Sequence, residues 1–291
     1  MPELPEVETT VKGVNEKVRS RIIKGVWTDT TKLVKRPASF DLFKKEISGK
    51  KVKYAWRRAK NVIIDLSDGY SLLIHQKMTG HLLYGSWEEK GGRWISKEQG
   101  PMDDPYNRFI RIIFFLDNGK MLALSDLRKF AKIELWKTNE LVNSENFKNL
   151  GPEPLEKDFD FKKFKTALSG RRGKVKQVLM KPEVIAGIGN IYSDEALWRA
   201  KINPLRETSE LGEKELKSLY NAVIYVLKRG VDLRGESFSD YRDIEGKKGD
   251  FDDERKAYHR EGENCSRCGT AIKRVKINAR SAHFCPVCQK I

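Results

Sequence analysis

Apolar residues between positions 11 and 150 come in short runs separated by turn residues, a pattern that predicts β-strands. Asn61–Leu66 runs into Ser67-Asp68-Gly69, and Tyr70–His75 follows at once. Phe109–Leu116 runs into Asp117-Asn118-Gly119, and Met121–Ser125 follows. An Asp-Gly or Asn-Gly between two apolar runs marks a hairpin, because left-handed residues match the strand twist there. In RFIRIIFFL, Arg108 and Arg111 flank β-branched and aromatic residues, which suits a strand of a sandwich or barrel. The texture changes at Leu150–Leu155, LGPEPL, whose two prolines interrupt helix and sheet alike. Beyond it Phe161, Phe164, Lys165 and Leu168 fall at helical spacing, and Ser169-Gly170 closes that element. Two further helical stretches, 174–181 and 190–200, surround AGIGN. Ser209 is expected to cap a longer helix with the stripe Leu216, Leu219, Tyr220, Val223, Val226 and Leu227, ending at Gly230. Residues 234–264 are polar and glycine-punctuated, and are expected to form a mobile functional loop. No internal repeat or low-complexity tract interrupts this order.

At 291 residues the chain has room for more than one domain and a core that needs no cross-links. Lys and Arg number 57 against 41 Asp and Glu, a formal net charge of +16, with charged residues at 34% of the total. That balance points to a polyanionic partner, nucleic acid or an anionic membrane surface; a lysine-rich solubility surface is the plain alternative. No apolar run approaches the roughly 18–20 residues that span a bilayer, and MPELPEVETT lacks the apolar stretch of a secretory signal. A soluble, intracellular protein is therefore expected, and membrane binding is the weaker reading of the charge.

The four cysteines all lie in the last 27 residues, as Cys265-x2-Cys268, sixteen residues, then Cys285-x2-Cys288. Disulfide frameworks spread along a chain, whereas paired Cys-x-x-Cys knuckles at this separation match a structural zinc site with four thiolates. Two redox dithiols are the alternative. All four coordination positions are filled, which leaves none open for catalysis. The segment between the knuckles carries Lys273, Arg274, Lys276 and Arg280, and is expected to form a basic β-hairpin that presents Arg280 near its tip. Lacking the two histidines of a base-reading finger, it would touch the nucleic-acid backbone or minor groove. Each of these charges alone reads equally as solvated surface.

Three further stretches carry candidate chemistry. In GIGNIY, Gly187 to Tyr192, glycines let backbone N–H groups approach a phosphate at a helix N-terminus, with Asn190 adding a side-chain donor; close helix packing is the alternative use of those glycines. HQKMTG, beginning at His75, places Met78 in a turn after a strand, and DLRKF places Arg128 and Phe130 after another. Side chains of this kind on loops can enter a base stack as wedges, although methionine is more often core. At the N-terminus, Pro2, Glu3, Pro5, Glu6 and Glu8 suit a helix start, where proline and acid are both ordinary. Removal of Met1 gives the same residues a second use. Pro2 then carries a free secondary amine, partly neutral at pH 7 and able to form a Schiff base, and Glu3 stands beside it as a proton carrier.

Together MPELPEVET, RRAKNVIIDL around Lys60, HQKMTG, DLRKF, LGPEPL, VIAGIGNIYSDEALWRAKINP and the cysteine-bearing tail resemble the formamidopyrimidine-DNA glycosylase family, within the group that includes endonuclease VIII. The match runs in order over essentially the whole chain. The resemblance implies an α+β, multidomain fold: a catalytic β-sandwich flanked by helices (1–150), a helix–two-turn–helix domain (151–234), a lesion-recognition loop region (235–262) and a zinc-finger hairpin (263–291). It also implies a glycosylase with abasic-site lyase activity. Pro2 would attack C1′, Glu3 would handle protons, Lys60 would serve β-elimination and phosphate contact, and Arg280 δ-elimination and phosphate binding. His75, Arg171 and Asn190 would contact DNA. Met78, Arg128 and Phe130 would fill the gap left by a flipped nucleotide, and the loop around Ser237–Tyr241, Tyr241 included, would cover the flipped base.

The split wedge favours the branch that excises oxidised purines. DLRKFA stands where DPRRFG is commoner, so a preference for oxidised pyrimidines remains an alternative, as does a catalytically silent DNA-binding protein. One structural zinc, no catalytic metal or organic cofactor, damaged duplex DNA as partner, a monomer and a bacterial cytoplasmic location complete the expectation.

Overall fold

The chain enters its first helix, α1 (Leu4–Lys17), through the proline and acidic residues that suit a helix start. Glu3 is the N-cap, proline occupies the first turn, and the Glu6 carboxylate turns back to accept the Glu3 N–H at 2.7 Å. Acid here meets the positive end of the helix dipole and satisfies a donor the helix leaves open.

A computed structural model describes residues 1–237 and 240–291 and divides them into two units. The first comprises Met1–Lys148 with Leu233–Asp250, and the second comprises Asn149–Asp232 with Phe251–Ile291. The expected loop region 235–262 is therefore shared between them, parted after Asp250.

In the first unit α1 is followed by β1 (Ile23–Thr28), β2 (Val34–Arg36), α2 (Phe40–Ile47), β3 (Val52–Arg58), β4 (Asn61–Leu66), β5 (Tyr70–His75) and β6 (His81–Gly85). A short hairpin, β7 (Trp87–Lys90) and β8 (Arg93–Ser96), precedes β9 (Ile110–Leu116), β10 (Met121–Ser125), β11 (Lys132–Lys137), α3 (Thr138–Asn143) and α4 (Glu145–Lys148). One sheet runs β1-β9-β10-β6 and the other β2-β11-β5-β4-β3, antiparallel apart from β2 against β11. Val26, Ile112, Phe114 and Leu124 of the first share a core with Val62, Ile64, Ile74 and Ile133 of the second, together with Val7, Val11 and Val14 of α1. The alternate residues are covered too. Ile113 and Ala123 pack under Trp87 and Met102, and Ile63 and Leu73 pack under Leu141 and Phe147. Burial of both faces explains why these strands read as unbroken apolar runs rather than alternating ones.

The second unit contains α5 (Phe161–Leu168), α6 (Val175–Leu179), α7 (Asn190–Ala200), α8 (Glu213–Asp232) and a hairpin of β12 (Lys273–Ile277) and β13 (Arg280–Phe284). Ser209 does not cap α8: it sits in a separate 3-10 turn, Thr208–Glu210. Gly212 starts the helix instead, its carbonyl accepting from Leu216 N–H and its N–H donating to the Glu215 carboxylate at 3.0 Å. Nor does Gly230 end it. Buried within the last turns, Gly230 is passed by a helix that reaches Asp232. Among the described residues no helix is long and apolar enough to cross a membrane.

Candidate functional site

Pro2 and Glu3 are buried at the head of α1, and with Met1 in place the Pro2 nitrogen is an amide without nucleophilic character. The helix they begin is fastened to β3 by Asn15, which donates to the Ala55 carbonyl at 2.8 Å and accepts from the Ala55 N–H at 2.7 Å. Further along β3, Arg57 donates to the Glu8 carboxylate at 3.0 Å and to the Ala59 carbonyl at 3.0 Å. Ala59 takes a left-handed conformation, φ 53°, and Lys60 follows it at the tip of the β3–β4 hairpin. That tip is thereby tied to α1, which begins just after Pro2 and Glu3. His75 lies across from Asn61 at the end of β5. Its Nδ1 accepts from the Lys77 N–H at 3.0 Å, which leaves Nε2 as the donor. Burial, reinforced by the charges of Lys77, Lys60 and Lys132, lowers its pKa to about 3. His75 is thus a neutral hydrogen-bond donor at physiological pH.

Beyond β5 the chain turns through Gln76–Gly80, with Lys77 left-handed at φ 58° and Met78 exposed. After β10 it turns again through Asp126–Phe130, with Lys129 left-handed at φ 56°. Phe130 is 53% exposed, Met78 41% and Leu127 44%, large apolar side chains held outward. The Arg128 guanidinium lies 4.7 Å from the centre of the Phe130 ring. Both turns converge on one buried carboxylate. Asp126 accepts from the Phe130 and Ala131 N–H groups at 2.8 Å each, from Arg128 N–H at 3.2 Å, and from the Thr79 hydroxyl. The Thr79 oxygen in turn accepts from Arg128 N–H at 3.0 Å.

Residues 233–250, which overlap the stretch 234–264 expected to be mobile, are held at both ends. Asp250 N–H donates to Leu233 carbonyl at 2.8 Å, and Gly249 N–H to the Ser237 hydroxyl at 2.8 Å. Glu236 N–H donates to the same Glu6 carboxylate that caps α1, at 2.8 Å. A Cβ on Gly235 would fall 2.7 Å from Glu6 Cγ, and one on Gly13 would fall 2.3 Å from Ile244, so side chains are excluded at both approaches. Tyr241 is not presented to solvent: its hydroxyl donates to the Glu6 carbonyl at 3.0 Å, and burial raises the phenol's pKa well above its ordinary value. Arg242, fully buried, pairs with Asp104 at 2.9 Å. Phe238 and Ser239, the middle of the segment expected to cover a flipped base, lie outside the described residues.

In the second unit Asn190 opens α7, its Oδ1 buried without a partner among the described residues. Gly187 just before it is left-handed, φ 87°. Arg171 is exposed on the turn after α5, its Nε 3.4 Å from the Ala167 carbonyl. Arg280 is exposed at the start of β13, beside a groove of about 300 Å³ that Lys181 and Asn278 also line. Beneath that tip lies a buried charge network. Lys176 Nζ donates to Asp194 Oδ1 at 2.5 Å and to the Ser281 carbonyl at 2.6 Å, while Asp194 Oδ2 accepts from His283 N–H at 3.0 Å. One residue along α7, the buried Glu195 carboxylate accepts from the N–H groups of Lys256, Ala257 and Tyr258 at 2.8–2.9 Å; burial still raises its pKa against those donors. The Sγ atoms of Cys265, Cys268, Cys285 and Cys288 lie within 4.8 Å of one another, and none is in a disulfide. A tetrahedral zinc with sulfurs at about 2.3 Å sets them roughly 3.8 Å apart, so the four fit that ion.

Three sequence-family models match the chain in succession. The formamidopyrimidine-DNA glycosylase N-terminal domain covers residues 1–133, the H2TH domain of the same enzyme 150–242, and the zinc finger found in FPG and IleRS 262–291. A curated relative from Desulforamulus reducens, named formamidopyrimidine-DNA glycosylase, is 38% identical over 291 residues, covering 100% of this chain and 99% of its own. The chain belongs to the formamidopyrimidine-DNA glycosylase family. Two solved members give the same fold over nearly the full length. A Lactococcus lactis FPG variant bound to Fapy-dG containing DNA aligns with a TM-score of 0.87 at 33% identity, covering 100% of both chains. The L. lactis Fpg complex with abasic-site DNA gives 0.86 at 32%, covering 99% of this chain and 100% of the other. The family's α+β architecture, helix–two-turn–helix segment and finger are all present, and the four cysteines are the site of one structural zinc.

Several residues that organise the family scaffold here escaped the sequence reading. Asp126 and Thr79 lie inside the quoted DLRKF and HQKMTG, and an aspartate at a strand end before an irregular turn was the available signal. Glu6 read only as helix-start acid, while its second partner is 230 positions away. Nothing in the sequence marked Lys176 and Asp194 as a buried pair.

Proposed function

We propose that this chain is a base-excision-repair DNA glycosylase with abasic-site lyase activity that takes oxidised purines, 8-oxoguanine and formamidopyrimidines, from duplex DNA. The observation that carries this reading is the pairing of Pro2 and Glu3 at the head of a tethered helix with Lys60 and a neutral His75 on hairpins of the same unit. Once Met1 is removed, the Pro2 amine attacks C1′ of the damaged nucleotide. The bond from C1′ to the base breaks, and the base leaves with a proton. Glu3 supplies a proton to the ring oxygen as the sugar opens, and the C1′–nitrogen link becomes an iminium. That cation acidifies the C2′ proton. Lys60 assists its removal, the 3′ phosphate departs in β-elimination, and a second elimination expels the 5′ phosphate with Arg280 assigned to that step.

Zinc takes no part in these bonds; when bound it fixes the knuckles that carry the Arg280 hairpin. Arg171, Asn190 and His75 are assigned to phosphate contacts, and Met78, Arg128 and Phe130 to the space a flipped nucleotide vacates. Tyr241 enters as an anchor of the 233–250 segment at Glu6, and the bases are left to neighbouring residues. The domain boundaries near 150, 234 and 262 are kept as functional divisions. A monomer working in the cytoplasm, on nucleoid DNA, follows from the same reading. Incubation with duplexes bearing 8-oxoguanine, a formamidopyrimidine or an oxidised pyrimidine tests it. Excision of the two purine lesions, with a one-nucleotide gap ended by phosphates on both sides, is expected. Faster excision of the pyrimidine would move the chain to the alternative specificity, and no excision of any lesion would make it a binding protein.

A further inference from the structure

The Met78 turn and the Arg128–Phe130 turn belong to different strand connections, 50 residues apart at Met78 and Arg128, yet one hydroxyl joins them. We propose that Thr79 and Asp126 form a latch that makes the two turns a single rigid wedge, and that both are positioning residues for nucleotide flipping. The inference rests on the reading of Met78, Arg128 and Phe130 as wedge residues. Asp126 is fully buried, and its carboxylate accepts hydrogen bonds from Thr79 on one side and from Arg128, Phe130 and Ala131 on the other. Thr79, 6% exposed, donates to that carboxylate and accepts from Arg128 N–H, so its hydroxyl is used in both directions. An apolar group in this position would leave the Arg128 N–H with only its longer bond to Asp126 and would take a donor from the buried carboxylate.

The latch also answers a conformational difficulty. Lys77 and Lys129 hold left-handed backbones, which non-glycine residues adopt only when their surroundings enforce it. Each stands next to a wedge residue: the Lys129 turn is closed on Asp126, the Lys77 turn is closed by Gly80 N–H to the Gln76 carbonyl, and the Thr79 hydroxyl ties the second to the first. Flipping replaces stacking of the lost base with protein side chains, and a wedge inserted from two independent turns would lose entropy twice. Joined turns enter together.

Thr79→Val removes the hydroxyl at almost constant volume and is the decisive variant. In single-turnover assays on an 8-oxoguanine duplex it should slow excision about 10-fold. Cleavage of a preformed abasic site, where no base need be unstacked, should change by no more than about 2-fold. Thr79→Ser, which keeps the hydroxyl, should restore excision to near the parent rate, and a 2-aminopurine beside the lesion should report slowed flipping only in the valine variant. Equal loss of both reactions in Thr79→Val, or failure of serine to restore excision, overturns the latch as a positioning device. Phe130→Ala separates this from the underlying reading. If it slows excision while Thr79→Val does not, the latch is wrong and the wedge stands; if Phe130→Ala leaves excision untouched, the wedge falls and the latch with it.

Discussion

Side chains proposed for chemistry in the first unit stand on the rims of two sheets that are packed on both faces, whereas Arg280 in the second stands on a finger hairpin beside only a small apolar cluster. The difference shows in what holds each set. In the first, the core that includes Val7, Phe114 and Ile133 fixes the strands, and single carboxylates, Glu6 in the first turn of α1 and Asp126 at the end of β10, gather the loops by their backbone N–H groups. In the second, the cluster around the finger is Trp198, Ala257, Ile272 and two of the cysteines themselves. There a buried ion pair and four thiolates take over the task that apolar burial performs elsewhere. A region too small to bury much surface needs metal and charge to acquire a fixed geometry.

The comparison breaks most visibly if metal is withdrawn. Chelation, or Cys285→Ser, should unfold the hairpin bearing Arg280 and weaken binding to an abasic duplex by at least about 100-fold, because structural zinc contributes folding free energy directly. Circular dichroism of the β-rich unit should keep its melting transition. A simultaneous collapse of both would contradict the division of labour. Next in size is the buried pair. Asp194→Ala removes a carboxylate that pairs with the buried Lys176 and should cost roughly 3–5 kcal/mol in chemical denaturation. A loss under about 1 kcal/mol would show that the network beneath Arg280 holds nothing.

How much of this was legible beforehand depended on the kind of contact. The hairpins at Ser67-Asp68-Gly69 and Asp117-Asn118-Gly119, the strands either side of them and the two cysteine knuckles are local patterns, and they appear at the positions read from sequence. α5 does too, Phe161–Leu168. The start of α8 was misplaced because Ser209 resembles a cap more than Gly212 does, and only the Glu215 side chain reaching back made glycine sufficient. Contacts between distant residues left no trace. Glu6 with Glu236, Thr79 with Asp126 and Lys176 with Asp194 depend on folding to bring them together, and each involves a residue type that is usually solvated. The polar stretch after α8 read as mobile for the same reason. Its anchors, Arg242 to Asp104 and Tyr241 to Glu6, are long-range.

A smaller effect sharpens the account of the first unit. His75 has a folded pKa near 3, far below its ordinary value of about 6.5. Between those values the unfolded chain binds a proton that the folded chain refuses. His75 therefore contributes stability that is fully present above about pH 6.5 and is lost as pH falls toward 3, at up to about 1.4 kcal/mol per pH unit. His75→Gln should flatten the fall in unfolding free energy between pH 6 and 4; an unchanged slope would mean the imidazole is protonated in the fold. Smallest of all should be Glu8→Gln. Its pair with Arg57 is partly exposed, so a loss of under about 1 kcal/mol is expected, with Lys60-dependent cleavage of an abasic site slowed a few-fold as the hairpin tip loosens. No change in cleavage would detach the tip from the helix.

The central claim is that the chain does chemistry with the amine of residue 2. Borohydride added during reaction with an 8-oxoguanine or abasic-site duplex reduces an iminium to a stable amine, so it reports that bond directly. After mass spectrometry has established removal of Met1, the protein should give a covalent complex whose cross-linked peptide begins at Pro2, and Pro2→Gly should lose most or all of it. Absence of an adduct on both duplexes, or an adduct that maps to Lys60 or any other lysine with Pro2 unmodified, would contradict the account.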